Sequence, residues 1–341
     1  ITPRESGLVL PPDEIRQLLS EKGIVGMGGA TFPTHVKYAP QSSGRIIDTV
    51  ILNGIECEPF ITADYRILIE HADEVIRGLK YFLKASLANK GIIAIEDNKP
   101  RAIELFNQLT ADDPNISIVV CPEKYPQGSE RHLIYAVTGR VVPERALPSA
   151  VGVIVDNVAT AMQAALAVKD DLPCYERIVT VSGNAVHKPG NYRVRIGTLY
   201  SHLVEQGAQG LKNAPARIIS GGPMMGFSLH SLDFPVLKGT GGLLLFDHKS
   251  ELAKLPPENP CVRCGKCVDT CPMFLEPTQL FKAVKRRDWP AALAGHVGTC
   301  IECGSCAYNC PAHIPLVQYI RMGKQFILTD GFGGHNPYYK K

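Results

Sequence analysis

The feature that most constrains this chain is a repeated cysteine pattern near its C-terminal end. Eight of its eleven cysteines fall into two sets that share the spacing C-x2-C-x2-C-x3-C-P, with a constant offset of 39 residues. The first set is Cys261, Cys264, Cys267 and Cys271, and the second is Cys300, Cys303, Cys306 and Cys310. The constant offset indicates that one metal-binding unit has been duplicated.

This spacing is typical of a pair of 4Fe–4S clusters. Three thiolates separated by two residues each wrap a short loop around three corners of an iron–sulfur cube, and the fourth cysteine, before proline, reaches the other cluster. Disulfides would need an oxidising compartment, and the chain has no export signal. Structural zinc sites use two CxxC pairs, and three cysteines spaced by two residues and followed by Cys-Pro do not match that pattern. The sequence therefore predicts one cluster on Cys261, Cys264, Cys267 and Cys310, and another on Cys300, Cys303, Cys306 and Cys271.

Two clusters that exchange ligands in this way lie close together. We therefore expect them to transfer single electrons in series, with a purely structural role as the alternative. The linker between the two sets, residues 274–294, has helical character, with Trp289 and Pro290 near its end. The other cysteines, Cys57, Cys121 and Cys174, have no partner pattern and are expected to be small buried hydrophobic residues.

Length and composition leave room for two further domains. A chain of 341 residues predicts two to three domains, and 45% hydrophobic residues allow a sizeable core. The net charge of +3 argues against a nucleic-acid clamp, so no nucleic-acid partner is expected. No run of 18 apolar residues occurs, so the sequence predicts no transmembrane helix.

The first half of the chain alternates between apolar strands and helical stretches. Strands are predicted at 49–52, 92–95, 116–120 and 151–155, and helices at 66–84, 100–109, 129–138 and 158–168. Continuous apolar strands separated by helices indicate a parallel sheet that is covered on both faces. Ligands of such sheets bind at the carboxyl ends of the strands.

Polar segments follow three of these strands, at residues 53–59, 125–130 and 156–160. A glycine-rich loop, residues 26–34, precedes the first strand. Its Pro33 suits the first turn of a helix whose N–H groups could hold a phosphate, and Lys37 could add a positive charge. Each segment alone also fits a solvated loop without a ligand. Their expected convergence at one edge of the sheet favours a binding site.

A middle unit, residues 174–248, reads as a small β domain. The sequence predicts a hairpin of strands 177–182 and 192–196, then a helix at 199–206 that Thr198 could cap. Further strands are predicted at 217–220 and 243–246. The loop at 221–226, Gly-Gly-Pro-Met-Met-Gly, is expected to be a structural turn.

With these residues in view, the chain resembles the flavoprotein subunit of respiratory complex I and, more closely, the C subunit of the Rnf electron-transport complex. GIVGMGGATFPTHVK (residues 23–37) is similar to the family's FMN loop, and NGIECEP (residues 53–59), followed by residues 62–64, to its second loop. Four further stretches resemble the Rnf protein: IEDNKP, KYPQGSE, CIECGSC and IPLVQY, which begin at residues 95, 124, 300 and 314. The resemblance covers about residues 12 to 325.

The resemblance implies an α/β architecture of three domains. These are a Rossmann-like parallel-sheet flavin domain over residues 1–172, a β-grasp, SLBB-like domain over 173–249, and a helical ferredoxin-like domain with two 4Fe–4S clusters over 250–330. Residues 331–341 would form a tail.

The resemblance also implies the cofactor contacts. FMN would lie on Gly26, Gly28, Gly29 and Lys37, with Asn53, Glu56, Asp156, Asn157 and Thr160 around it. Gly128 to Glu130 would approach the flavin and the nucleotide, Phe32 would stack on NADH, and Glu58 would bond near its nicotinamide or ribose. Met27, Ile55, Ser129 and Arg131 depart from the complex I pattern, so the NADH contacts match less closely than the FMN contacts.

The implied activity is an exchange of hydride between NAD(H) and FMN, followed by one-electron transfer through the clusters. No side chain need act as a catalytic acid or base. The chain would attach peripherally to the cytoplasmic side of the cell membrane. Its implied partners are the iron–sulfur B subunit of the complex, the membrane subunits that translocate Na+ or H+, and indirectly ferredoxin. A soluble cobalamin reductase of similar layout and a non-catalytic electron conduit without its own flavin are the alternatives.

Overall fold

The computed structural model describes residues 10–40, 46–144 and 146–328. The chain divides into two compact units, with residues up to Ala253 in the first and residues from Lys254 onward in the second. The expected tail at 331–341 lies outside the described residues.

The larger unit begins with a parallel α/β layer. Its elements are α1 (Pro12–Glu21), α2 (Thr34–Lys37), β1 (Thr49–Gly54), α3 (Ala63–Glu70), α4 (Ala72–Ser86), β2 (Lys90–Glu96), α5 (Pro100–Leu109), β3 (Ile116–Cys121), α6 (Glu130–Thr138), β4 (Val153–Asn157) and α7 (Val158–Asp170). The four strands are parallel, in the order β3-β2-β1-β4, with Ile51 opposite Ile92 and Val155. The prediction of a Rossmann-like parallel sheet is confirmed.

Strands β1, β2 and β4 are buried on both faces, which explains why they read as continuous apolar runs, whereas β3 at the edge is partly exposed. Val50 and Leu52 of β1 belong to one apolar cluster, together with Phe82 of α4. Ile51 belongs to a second cluster, together with Leu133 of α6. Alternate residues of one strand therefore enter two separate cores, because side chains alternate between the faces of a sheet.

Two boundaries of the α/β layer differ from the prediction. The single helix expected at 66–84 is two helices, α3 and α4, separated by His71 with a non-helical φ of −132°. The strand expected at 151–155 begins two residues later. A short 3-10 turn occupies Pro148–Val151 and ends at Gly152, which has a φ of +75°.

The middle of the chain forms a mixed five-stranded sheet. Its elements are β5 (Glu176–Ser182), β6 (Gly190–Arg195), α8 (Tyr200–His202), β7 (Arg217–Ser220), β8 (Phe227–Leu229) and β9 (Gly242–Phe246). The strand order is β6-β5-β9-β7-β8, and only β5 and β9 run parallel. The predicted β5–β6 hairpin is confirmed. We call this sheet and its helix the β-grasp domain.

The predicted helix at 199–206 is confirmed as a helical segment over residues 200–207, but its predicted cap is wrong. The α-helical part is a single turn, α8, followed by a π-helical turn at Leu203–Gly207. Leu199 stands at the N-cap without a side-chain bond. Thr198 instead accepts a bond at its backbone carbonyl from Val236 N, at 2.8 Å.

The second unit is helical. Its elements are α9 (Lys266–Asp269), α10 (Pro277–Lys285), α11 (Trp289–Ala294), α12 (Ser305–Tyr308) and α13 (Leu316–Leu328). The duplication is visible in the backbone, because Gly265 and Gly304 precede α9 and α12 with the same φ of +78°. The linker is helical as predicted, and Trp289 begins α11, whose N-cap Asp288 accepts from Ala291 N.

Among the residues that the structure describes, no helix is long and apolar enough to cross a bilayer.

Candidate functional site

The glycine-rich loop lies against the carboxyl end of β4. Met27 N donates to Thr160 Oγ1 at 2.9 Å, in the first turn of α7. A Cβ added to Gly28 would lie 3.5 Å from the Cβ of Asn157. Asn157 is itself the N-cap of α7, since its side-chain oxygen accepts from Ala159 N at 2.8 Å. The loop therefore reaches the sheet edge where the sequence predicts a ligand.

The glycine-rich loop has a defined shape with open space beside it. Gly26 N donates to Phe32 O at 2.8 Å, and Thr31 N donates to Gly26 O at 3.1 Å, which closes the loop on itself. Between them, Gly29 has a φ of +113°, a backbone conformation that favours glycine. A Cβ on Gly29 would meet no heavy atom within 4 Å. Phe32, the expected stacking partner of NADH, is half exposed.

Lys37 connects this loop to β4. Its Nζ donates to Val155 O at 2.6 Å and lies 3.3 Å from Asp156 Oδ1. Burial alone would lower the pKa of Lys37, but the Asp156 and Glu130 carboxylates outweigh it and the pKa is raised. Lys37 is therefore a half-buried cation at the carboxyl end of the sheet. The expected phosphate-binding helix, α2, is a single turn with Pro33 at its N-cap.

The segment after β1 meets the segment after β3. Asn53 Nδ2 donates to Gly128 O at 2.8 Å, and Asn53 Oδ1 accepts from Ile55 N at 3.2 Å. A Cβ on Gly128 would lie 3.3 Å from Cys57 Sγ. Burial raises the pKa of Glu130, although the ammonium of Lys37 opposes this. Residues 53–58, called the 53–58 loop below, therefore share one edge with residues 125–130.

Glu56 caps helix α3. Its Oε1 accepts from Asp64 N at 2.6 Å and its Oε2 from Tyr65 N at 3.0 Å, so it binds two N–H groups of the first helical turn. Asp64 in turn accepts from Asn157 Nδ2 at 2.6 Å. Burial and the neighbouring Asp64 carboxyl raise the pKa of Glu56 to about 8, and burial raises that of Asp64.

Glu58 points to the β-grasp domain. Its Oε2 accepts from Met224 N at 3.1 Å and its Oε1 from Met225 N at 2.8 Å. Burial raises the pKa of Glu58, and these two N–H groups partly offset the effect. Residues 221–226, called the 221–226 loop below, thus bind a carboxylate of the α/β layer, whereas the sequence predicts only a structural turn there.

Two residues at this edge, Lys99 and Tyr38, are not identified by sequence reasoning. Lys99 lies in the IEDNKP stretch, and its Nζ donates to Ile55 O at 2.8 Å and to Glu96 Oε2 at 2.9 Å. Tyr38 follows Lys37 directly, and its hydroxyl donates to Asp156 Oδ2 at 2.8 Å. The position of Lys99 directly after the strand β2 is the sequence signal that could have identified it. The contact of Tyr38 has no sequence signal.

Three cysteines of the second set line one cavity. Cys300, Cys303 and Cys306 surround it together with Cys271 of the first set, and apolar residues such as Leu280 and Ile320 complete the wall. Burial, and then the neighbouring thiols of Cys300, Cys303 and Cys271, raise the pKa of Cys306 to about 12. This is the set of four that the sequence assigns to one cluster.

Backbone N–H groups already face two of these sulfurs. Leu275 N lies 3.4 Å from Cys271 Sγ, and Glu302 N lies 3.3 Å from Cys300 Sγ. Such bonds stabilise thiolates and help set the potential of a cluster. The apolar cavity, the four thiols and these donors fit a 4Fe–4S cluster.

The other predicted set is more open. Cys261 and Cys264 are exposed, whereas Cys267 is buried in one apolar cluster with Phe281, and Cys310 packs against that cluster. Cys267 and Cys310 are close enough for the Cys310 thiol to add to the effect of burial, which raises the pKa of Cys267. Within the described residues, no three His, Cys, Asp or Glu side chains converge on the position of a single metal ion.

The remaining cysteines lie apart from these sets. Cys121 and Cys174 are buried, as the sequence predicts, but Cys57 is only half-buried beside Gly128.

Three family models match successive segments of the chain. Residues 19–166 match the Nuo51 FMN-binding domain, residues 178–228 the SLBB domain, and residues 259–314 the 4Fe–4S dicluster domain. The FMN match covers the glycine-rich loop, the 53–58 loop and the ends of β1 and β4. The chain therefore contains an FMN-binding domain and a 4Fe–4S dicluster domain.

Two curated proteins are closely similar over most of this chain. The C subunit of the Na+-translocating ferredoxin:NAD+ oxidoreductase complex of Acetobacterium woodii is 43% identical over 317 residues, which are 93% of this chain and 71% of that protein. The C subunit of the proton-translocating ferredoxin:NAD+ oxidoreductase complex of Clostridium ljungdahlii is 44% identical over 268 residues, or 78% of this chain. The aligned part is 57% of the length of the Clostridium protein.

Solved structures share the fold. NAD+-reducing NiFe hydrogenase in the H2-reduced state has a TM-score of 0.63 at 22% identity, over 94% of this chain and 65% of the hydrogenase chain. The air-oxidised state of such an enzyme gives a TM-score of 0.60 at 20% identity, over 92% and 63% of the two chains.

Proposed function

Since the chain belongs to the family of C subunits of ferredoxin:NAD+ oxidoreductase complexes, we propose that it exchanges electrons between NAD(H) and two 4Fe–4S clusters through FMN. When bound, FMN supplies the exchange of a hydride for two single electrons, and the clusters carry those electrons one at a time. A chain with both kinds of group can therefore connect a two-electron donor to a one-electron carrier.

The observation that carries this proposal is the convergence of three segments at one edge of the parallel sheet. The glycine-rich loop contacts Asn157 and Thr160 at the end of β4. Asn53 joins the end of β1 to Gly128. These contacts bring together segments that are up to about 130 residues apart, at the strand ends where α/β sheets bind their ligands.

The chain's own residues would hold FMN through backbone and charge. The open space beside Gly29 gives a planar group close access to the backbone. Lys37 is a cation that Asp156 and Val155 O keep in place, so it would bind an anionic or carbonyl group of the cofactor. Gly26, Gly28, Asn53, Glu56, Asp156, Asn157 and Thr160 complete the proposed FMN set.

NAD(H) would enter beside the same edge. Phe32 is half exposed next to the glycine-rich loop and offers an aromatic face. Glu58, Gly128 and Glu130 are the proposed polar contacts of the nucleotide. No side chain is needed as a proton donor or acceptor for this step, because a hydride carries its proton together with both electrons.

The two clusters would be held as the cysteine pattern predicts. Cys271 shares a cavity with Cys300, Cys303 and Cys306, so its thiolate would complete the cluster of the second set. Cys310 packs beside Cys267, so it would complete the other cluster together with Cys261 and Cys264.

The proposed setting is a multi-subunit membrane complex. The chain would attach peripherally on the cytoplasmic side, where it would exchange electrons with the iron–sulfur B subunit and the membrane subunits, and through them with ferredoxin. Ion translocation would be a property of those partners.

An anaerobic reconstitution tests the proposal. Purified chain is loaded with iron, sulfide and FMN, and NADH is added while flavin absorbance is recorded. The proposal expects quenched flavin fluorescence on binding and bleaching of the flavin by NADH. A chain that binds clusters but leaves free FMN fluorescence unchanged would be an electron conduit instead, and efficient reduction of cob(III)alamin by protein free of membrane subunits would indicate a cobalamin reductase.

A further inference from the structure

The 221–226 loop belongs to the β-grasp domain, yet it binds a residue of the FMN-binding domain. Its consecutive N–H groups at Met224 and Met225 each donate to a different oxygen of Glu58, at 3.1 and 2.8 Å. Two parallel bonds to one carboxylate fix its orientation as well as its position. Glu58 is half-buried between the two domains.

The approach of the two segments depends on a glycine. Gly222 is buried, and a Cβ there would lie 2.2 Å from Glu58 Oε2 and 2.4 Å from its Cδ. No side chain larger than hydrogen is compatible with the observed position of the carboxylate. Gly226 closes the loop, since its N–H donates to Gly222 O at 2.9 Å.

A second β-grasp segment packs against the glycine-rich loop. Lys238 Nζ donates to Gly23 O, three residues before this loop, at 2.5 Å. A Cβ on Gly239 would lie 2.8 Å from Thr31 Cγ2 and 3.0 Å from Gly29 O. The β-grasp domain therefore contacts both of the loops to which the proposed function assigns FMN and NAD(H).

We propose that the 221–226 loop is a positioning element of the nucleotide site, which seats the Glu58 carboxylate for the ribose or nicotinamide amide of NAD(H). This inference rests on the proposed function. Each carboxylate oxygen can accept more than one bond, so a seated Glu58 still accepts from a hydroxyl or amide of the substrate. The 221–226 loop holds Glu58 through the backbone N–H groups of Met224 and Met225, without a side chain of its own.

Steady-state kinetics of the FMN- and cluster-loaded chain test this inference. The variants are Gly222→Ala, Glu58→Ala and the double variant, assayed with NADH and ferricyanide. Because the added methyl group displaces the carboxylate, Gly222→Ala should raise KM for NADH about tenfold, the effect of losing a bond to a charged group. The kcat should stay within about twofold, since positioning of the bound nucleotide acts on ground-state and transition-state binding alike.

The double variant separates positioning from general damage. If Gly222 acts only through Glu58, the KM of the double variant should equal that of Glu58→Ala within about twofold. A larger increase, or an unchanged KM in Gly222→Ala, would overturn the inference. Gly190→Ala is the matched control, because its Cβ would meet only an ordinary contact with Tyr192 at 3.5 Å.

Hydrogen exchange provides a readout that does not need the Gly222 variant to fold. The amides of Met224 and Met225 should be protected in the wild-type chain, and Glu58→Gln should increase their exchange at least tenfold while β7 is unchanged. Equal exchange in both proteins would contradict the seating contact. The two proposals can fail separately. If NADH does not reduce the wild-type chain, but the Met224 and Met225 amides are protected and lose this protection in Glu58→Gln, the proposed function is refuted and the contact with Glu58 is supported.

Discussion

Asn157 donates from Nδ2 to Asp64 Oδ2 at 2.6 Å, while its side-chain oxygen caps α7. One amide at the end of β4 thereby connects the first turn of α7 to the start of α3, 93 residues earlier. Asp64 N then donates to Glu56, and Gly28 packs against Asn157. The proposed FMN site is thus built around a single side chain that joins three segments.

Lys37→Met should weaken FMN binding about ten- to a hundredfold, because the site loses a charge-assisted bond. Fluorescence titration of the FMN-free chain measures the affinity, and iron analysis should show an unchanged cluster content. The control is Lys80→Met, since Lys80 pairs with Asp113 at the surface. Unchanged FMN affinity, or loss of iron together with FMN, would contradict the assignment of Lys37.

Gly78→Ala should destabilise the larger unit by at least about 2 kcal/mol, the scale of overpacking in a core. The added methyl group would lie 2.0 Å from Ala161 O, so α4 and α7 would have to separate. Chemical denaturation followed by circular dichroism measures the loss, with Gly190→Ala as the control. A difference below about 0.5 kcal/mol would show that these helices do not depend on a close approach at Gly78.

Glu56 makes stability depend on pH with a defined sign. Its pKa in the folded chain, about 8, lies above the usual value of 4.5, so the folded state holds a proton that the unfolded state releases. The contribution is fully present below about pH 4.5 and is lost as pH rises through 8. Denaturation between pH 5 and 9 should therefore show a smaller decline in Glu56→Gln than in the wild-type chain.

The exposed Glu104→Gln on α5 is the control for this titration. Its pH profile should follow that of the wild-type chain. A Glu56→Gln profile parallel to the wild type would show that Glu56 is not the group responsible.

Cys261→Ser and Cys310→Ser should remove the same cluster, although 49 positions separate them in the sequence. Each variant should lose about half of the iron and the same cluster signal in electron paramagnetic resonance, because the cysteine before proline belongs to the other motif's cluster. Cys174→Ala, outside both motifs, should keep both clusters. If Cys310→Ser instead matched Cys300→Ser, the ligands would not be exchanged between motifs.

The sequence predicts the parts of the fold that follow from local pattern. The apolar runs of β1 and β2 predict a parallel sheet, and the cysteine spacing predicts which thiols share a cavity. The split between α3 and α4 at His71 was not predictable, because the helical periodicity continues through it. Thr198 suggests a cap by composition, but the backbone turns into α8 one residue later.

Contacts between distant backbone groups also escape the sequence. The sequence suggests only that Glu58 is a loop carboxylate. Nothing near it indicates that Met224 and Met225 bind it, because both donate from the backbone N–H that every residue except proline has. Lys99 is visible in the sequence, but its bond to Ile55 O depends on how the ends of β1 and β2 lie side by side.

The central claim is that electrons from NADH reach both clusters through FMN within this chain. Anaerobic addition of NADH to the fully loaded chain, followed by rapid freezing and electron paramagnetic resonance, tests it directly. The account predicts flavin bleaching accompanied by the signals of reduced 4Fe–4S clusters, and no cluster reduction in the FMN-free protein. Cluster reduction by NADH without FMN would contradict it. So would a bleached flavin beside clusters that NADH leaves oxidised, if a dithionite titration reduces those clusters at the potential that NADH sets.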